Sequence, residues 1–283
     1  MSSGFADVPA PYAEPEKAQV VIVPVPFDKT STWLKGADKG PEAIIEASRN
    51  MELYDIETDS EVYRQGIFTA EAIGGQDSVE EMIEAVREEV TKYLKRGKFC
   101  VVLGGEHSVS IGPIQAHAVY WGDSISVLQL DAHADLREEY DGSKYNHACV
   151  MARAREVAQI VQVGVRSMDA SEKKFMDRSN VFFAHEISYN KDWPRQAAAK
   201  LGERVYITID LDVFDPSIMP STGTPEPGGP AWYDVLAVLK EVCAQKKVVG
   251  LDVVELCPNP ANKAPDFLAA KLIYKFLSYY FRG

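Results

Sequence analysis

The sequence of 283 residues predicts an α/β fold, a largely parallel sheet covered by helices on both faces. Three observations carry this reading. Its strand-like runs are apolar on both faces, which suits strands buried from two sides. Helix-patterned stretches separate several of these runs. No Pro/Gly/Ser linker, composition shift or internal repeat divides the chain, so residues 1–283 read as a single domain.

In chain order, the acidic, Pro-rich segment 1–17 is expected to be loosely ordered. QVVIVPVPF (19–27) reads as a short buried strand, and GPEAIIEASRNMELYD (40–55) as a helix with Pro41 at its start. SVEEMIEAVREEVTKYLKRG (78–97) is amphipathic, with Ser78 as N-cap, Glu81 completing a capping box and Gly97 ending the helix. KFCVVLGG (98–105) follows as an apolar strand, and another helix pattern opens near His107. The remaining strand-like runs are SISVLQLD (124–131), QIVQVGV (159–165), RVYITIDLD (204–212) and KVVGLDVVEL (247–256). AWYDVLAVLKEVCAQ (231–245) and DFLAAKLIYKFLSYYF (266–281) read as helices.

A formal charge of -12 and the absence of a Lys/Arg-rich run argue against nucleic acid as a partner and favour small cations. Cys100, Cys149, Cys243 and Cys257 are scattered without a C-x-x-C pair, as reduced core thiols would be. The start lacks an apolar signal region, and no run of eighteen apolar residues occurs. A cytoplasmic protein without a membrane partner is expected.

Several strands end in polar residues for which a core has no use. The second runs into Glu106, His107 and Ser108, and the third into Asp131, His133 and Asp135. ITIDLD carries Asp210 and Asp212; LDVVEL carries Asp252 and Glu255. In a strand, residues i, i+2 and i+4 share a face, so Asp131, His133 and Asp135 are expected to point together, as are Asp210 and Asp212. One D-x-D is most simply a turn or an ion pair. Asp131, Asp135, Asp210 and Asp212 together have only the adjacent Arg137 to offset them, and burying them unpaired is costly. Two divalent cations balance four aspartates, with His107 and His133 as neutral donors. This thiolate-free set suits Mn²⁺ and is compatible with Co²⁺, Fe²⁺, Ni²⁺ or Zn²⁺. Two such ions activate water, so the expected chemistry is hydrolysis.

GGEHS (104–108), DAHADLR (131–137), IDLDVFDPSIMPSTGTPEPGG (209–229) and VVEL (253–256) resemble the ureohydrolase family of arginases and agmatinases. PFDKTSTWLKGADKGPEAI (26–44) resembles its N-terminal segment, so the likeness covers most of the chain. The resemblance implies a three-layer α/β/α sandwich and two Mn²⁺ ions. His107, Asp131, Asp135 and Asp210 would hold one ion, and Asp131, His133, Asp210 and Asp212 the other. It further implies attack by a metal-bridging hydroxide on the guanidinium carbon. Asp135 would orient the hydroxide, His147 would shuttle the proton, and Glu255 would hold the guanidinium. Homo-oligomers, trimers or hexamers, are also implied.

Within the family, the loop LREEYDGSKYN (136–146) lacks the Thr/Ser/Asn-rich reader of an amino acid that arginases carry. Glu138, Glu139 and Asp141 there favour an amine cation, so agmatine, cleaved to putrescine and urea, is the expected substrate. Glu255, His147, Glu138 and Asp169 form the expected substrate-binding set. Ala148 replaces the glycine usual after the shuttling histidine, and TGTPEPGG is read as a wall of the site. Arginine, guanidinobutyrate or an aminopropyl derivative of agmatine are the alternative substrates. A non-catalytic relative kept for assembly or regulation would be expected to have lost a ligand, and none is missing. A dimetal phosphohydrolase would need more Lys or Arg than these motifs supply.

Overall fold

The computed structural model describes residues 4–282. In chain order they form β1 (Val20–Val25), α1 (Gly40–Ser48), β2 (Ile67–Thr69), α2 (Val79–Lys95), β3 (Phe99–Gly104), α3 (Ile111–Trp121), β4 (Ile125–Leu130) and α4 (Val150–Ala154). There follow β5 (Gln159–Val163), β6 (Val181–Phe182), α5 (Ala184–Ile187), α6 (Trp193–Lys200), β7 (Arg204–Asp210), α7 (Trp232–Gln245), β8 (Lys247–Val254) and α8 (Ala264–Tyr280). The strands make one sheet in the order β2-β1-β3-β8-β7-β4-β5-β6, and every pairing is parallel.

Alternation along β1 shows why the runs had no polar face. Val20 and Ile22 enter one core with Ile44 of α1, Ala197 of α6, Leu239 of α7 and Phe276 of α8. Val21, Val23 and Val25 enter the other with Met82 of α2, Ile114 of α3 and Met151 of α4. The sheet is thus the middle layer of three, as expected for strands buried on both faces.

After β3 the chain skips the two central places in the sheet, later taken by β8 and β7, and continues in β4. The carboxyl ends of β3, β8, β7 and β4 consequently stand side by side, the arrangement in which open α/β sheets bind ligands. A tight approach fixes the end of β3: a side chain at Gly105 would place its Cβ 2.0 Å from the Phe27 carbonyl oxygen. Gly105 and Glu106 donate their N–H groups to Val25 and Phe27, each at 2.9 Å, tying this loop to the segment after β1.

Several sequence boundaries shift. The helix expected over 40–55 ends at Ser48, and the short edge strands β2 and β6 carried too few residues to show a pattern. Ser78 caps α2, but Glu81 reaches back to the N–H of Asp77 and not to that of Ser78. The largest change concerns the N-terminal segment, expected to be loose over 1–17. Residues 1–3 lie outside the described residues, but Phe5 is fully buried, its N–H bonds Thr69 Oγ1 at 2.8 Å, and Ala6 bonds Ser48 Oγ at 2.7 Å. Polar composition concealed these anchors. No helix among the described residues is long and apolar enough to cross a membrane.

Candidate metal centre and substrate cavity

A shared strand face does not describe how the candidate ligand residues meet. β4 ends at Leu130, so Asp131, His133 and Asp135 lie in the loop beyond it. They converge because the chain turns: Asp131 Oδ1 accepts the His133 N–H at 2.6 Å, and Asp135 takes a left-handed backbone (φ 51°). Asp210 ends β7, and Asp212 sits in the following 3-10 turn, whose first free N–H is accepted by Asp210 Oδ1 at 2.8 Å. Glu255, just past β8, is also left-handed (φ 69°). His107 opens a 3-10 turn after β3, and its N–H is held by Glu255 Oε1 at 2.8 Å.

Two groups of ligand-type atoms result, each within 4.8 Å: His107 with Asp131 and Asp135, and Asp131 with His133 and Asp212. His107 Nδ1 lies 2.9 Å from Asp135 Oδ2, 3.1 Å from Asp131 Oδ2 and 3.4 Å from Asp210 Oδ2. His133 Nδ1 lies 2.9 Å from Asp212 Oδ2 and 3.6 Å from Asp131 Oδ1.

Whether these residues fit metal can be judged from His107. Its Nδ1 is wholly buried and forms no well-directed hydrogen bond among the described residues, despite the three carboxylates around it. Its Nε2 stands 3.0 Å from Thr208 Oγ1, and that hydroxyl donates to Asp252 Oδ1 at 2.7 Å. With the hydroxyl proton so committed, Nε2 carries a proton toward Thr208. That leaves Nδ1, buried and without a hydrogen-bond partner, as the nitrogen available to a cation among the carboxylates, in the arrangement of a metal ligand backed by a hydrogen-bonded partner. The residues fit a pair of divalent cations. Asp252 is itself held by Ser110 at 2.9 Å and Tyr206 at 2.7 Å.

Without cations the cluster must be neutralised by protons. Burial and the neighbouring Asp131 push Asp135 up to about 7. Burial, then Asp212 and Asp131, raise Asp210 far above the carboxylate range, and burial with Glu106 does the same to Glu255. Burial works against charge on His107 and His133, yet their aspartate neighbours hold both rings well above the ordinary histidine value. Burial opposes charge on Asp131 as well, but His107 and His133 keep it below its usual range.

Above the cluster lies a cavity of about 290 Å³ lined by His107, His133, Asp135, Asp210, Asp212 and Glu255 at its base, with His147 and Asp169 on its walls. Thr224 and Gly223 from the TGTPEPGG segment line it as expected of a wall. Trp33, Leu34 and Tyr140 also line it, and Trp33 and Leu34 are exposed. His147 is largely buried; burial pushes its ring down to about 4, so it is neutral near pH 7. Asp169 caps a 3-10 turn and lies 3.8 Å from Arg137.

Glu138 is a correction: it is not among the lining residues and is engaged by Arg153, at 2.9 Å, and by Arg155. Glu172 was missed, although it lines the cavity, because its task is to brace backbone: its two oxygens accept the N–H groups of Leu136 and Asp169, each at 2.7 Å. Arg166 was missed too. It donates to the carbonyls of Gly164, Asp212 and Glu226, at 3.0, 2.7 and 2.8 Å, joining the second metal loop to the wall. Neither residue lies in a motif that spacing alone would single out. His117 is buried between backbone carbonyls and His185 is exposed, and neither lines the cavity.

The model of the arginase family matches residues 18–278. An N(1)-aminopropylagmatine ureohydrolase of Thermus thermophilus is 42% identical over 95% of this chain and 92% of its own length. An agmatinase of Pyrococcus horikoshii is 34% identical over 95% and 94%. The crystal structure of the agmatine ureohydrolase of Thermoplasma volcanium superposes with a TM-score of 0.88 at 31% identity, covering 100% of this chain and 95% of that one.

Proposed function

Given that the chain belongs to the arginase family, we propose that it is a two-metal amidino hydrolase that cleaves N(1)-aminopropylagmatine to urea and the corresponding triamine, with agmatine as a secondary substrate. The observation that carries the chemistry is the buried Nδ1 of His107, without a hydrogen-bond partner, among Asp131, Asp135 and Asp210 in the lining of a cavity that also holds Glu255. The choice of substrate follows the proteins of that name at 42% and 36% identity, in Thermus thermophilus and Synechocystis. The expectation of agmatine leaned on Glu138, whose charge is taken up by Arg153 and Arg155. The agmatinase relative supports the second substrate.

In this reading His107, Asp131, Asp135 and Asp210 hold one divalent ion, manganese by preference, and Asp131, His133, Asp210 and Asp212 the other. The ions would supply a water activated near neutral pH and positive charge against which negative charge can develop. Glu255, whose Oε1 is committed to the His107 N–H, presents Oε2 to the substrate guanidinium, a planar cation suited to a carboxylate. Asp135 orients the attacking oxygen by a hydrogen bond. His147, neutral at the cavity wall, takes a proton from the attacking water and returns it to the departing amine. Asp169, at the cavity wall, meets an ammonium of the substrate's far end.

Urea release from N(1)-aminopropylagmatine, agmatine, arginine and 4-guanidinobutyrate by Mn²⁺-loaded protein tests the proposal, with a chelated control. The expected order of kcat/KM places the aminopropyl compound first and the two acids last. A preference for arginine would overturn the substrate, and equal urea from the chelated protein would overturn the metal chemistry.

A further inference from the structure

The side of His147 away from the cavity faces Thr30 and Glu106. Glu106 is fully buried, one residue before His107, and accepts the hydroxyls of Thr30 through Oε2 and Ser108 through Oε1. Thr30 Oγ1 in turn accepts the backbone N–H of His147 at 2.9 Å and lies 3.3 Å from its Nδ1. Glu106 Oε2 is 3.8 Å from the same nitrogen.

A hydroxyl has one proton and two lone pairs. The proton of Thr30 goes to Glu106, and one lone pair takes the His147 N–H, so toward Nδ1 the hydroxyl can only accept. With Glu106 ionised, both oxygens near Nδ1 are acceptors, and a neutral ring carries its proton there. The remaining nitrogen, Nε2, is left with a free lone pair for the cavity. Thr208 and Asp252 do the same for His107 with the two nitrogens exchanged.

We propose that Thr30, backed by Glu106, is a positioning residue that fixes His147 as the Nδ1–H tautomer and so makes it a proton acceptor before it becomes a donor. The inference rests on the reading of His147 as the proton carrier in guanidine hydrolysis. The sequence of transfers balances. One O–H bond of the attacking water breaks as Nε2–H forms, and Nε2–H then breaks as an N–H bond forms on the departing amine. The imidazolium between these events donates Nδ1–H toward Thr30 and Glu106, whose carboxylate offsets its charge. The opposite tautomer would point a proton into the cavity and leave nothing to receive one from water.

The test compares Thr30→Val, which keeps the shape and removes the hydroxyl, with Thr30→Ser, which restores it. In Mn²⁺-loaded protein, Thr30→Val is expected to lower kcat about 10- to 100-fold with KM within about threefold and metal content unchanged, and Thr30→Ser to recover most of the loss. Independently of turnover, ¹⁵N-histidine spectra of protein loaded with diamagnetic Zn²⁺, assigned with a His147→Asn control, are expected to show a protonated Nδ1 and a bare Nε2 on His147. Tautomeric mixing is expected in Thr30→Val. A protonated Nε2 in the unaltered protein overturns the proposal. So does an unchanged kcat in Thr30→Val, or a rise in KM alone. Should the unaltered protein show the Nδ1–H ring but cleave no guanidine, the functional reading fails while the tautomer assignment stands.

Discussion

Glu255 Oε1 accepts the backbone N–H of His107 at 2.8 Å, joining the carboxylate that follows β8 to the histidine that follows β3. One side chain thus braces the loop after β3 and lines the cavity. Glu255→Gln keeps an acceptor for His107 while losing the charge. Its kcat/KM is expected to fall about 100-fold, the worth of a charge-assisted pair, with two metals still bound. Steady-state kinetics beside metal analysis checks this, and loss of metal would show that the charge mainly serves the loop.

Thr208 links His107 Nε2 to Asp252. Thr208→Val removes that link without enlarging the core, and is expected to weaken metal affinity about 10- to 100-fold, as loss of a ligand's hydrogen-bonded partner does. Competition with a calibrated chelator measures it.

Asp135, Asp210 and Glu255 are buried and pushed upward in pKa without cations, so the metal-free fold carries charges it must neutralise. Mn²⁺ at about 100 times its dissociation constant is expected to add about 3 kcal/mol per site to stability, seen as a rise in Tm by calorimetry. An unmoved Tm would argue against binding at this cluster.

Asp169 lines the cavity and Glu138 does not. Asp169→Asn is expected to raise KM for N(1)-aminopropylagmatine roughly twofold to fivefold through loss of an exposed ion pair. Glu138→Gln should leave KM unchanged and lower thermal stability slightly, by releasing Arg153 and Arg155. Kinetics and melting curves of the two variants check the contrast.

Burial pushes His117 from 6.5 down to about 4 against the opposing pull of the Pro113 and Val249 carbonyls. The unfolded ring takes up a proton below its ordinary value, and the folded ring resists until about 4. The associated stability is therefore full above pH 6.5 and is lost as pH falls toward 4, by about 3 kcal/mol. Denaturant midpoints across this range, compared with His117→Gln, isolate the effect; identical slopes would refute it.

The layer structure was legible in the sequence because a strand buried on both faces leaves no polar alternation, as β1 and β7 show. Asp131, His133, Asp135, Asp210 and Asp212 were legible because their charge has no place at the end of a buried strand unless something neutralises it. Thr30, Thr208 and Glu172 were not. Their importance lies in which atom they face across 117, 101 and 36 residues of chain, respectively, and a neutral hydroxyl or a backbone brace leaves no periodic trace. Glu138 misled for the related reason that local charge does not show where Arg153 and Arg155 will fold back upon it.

The left-handed backbone at Asp135 and Glu255 places two requirements on single positions. Conformation there favours Gly, Asn or Asp, and chemistry demands an acid. Asp135 meets both, whereas Glu255 meets the second at the expense of the first. Glycine at 255 would relax the chain and remove a buried carboxylate, but it would also strip the His107 N–H of its acceptor. What the segment after β8 would gain in conformation the segment after β3 would lose in support, so strain at one residue is kept as the fastening of another.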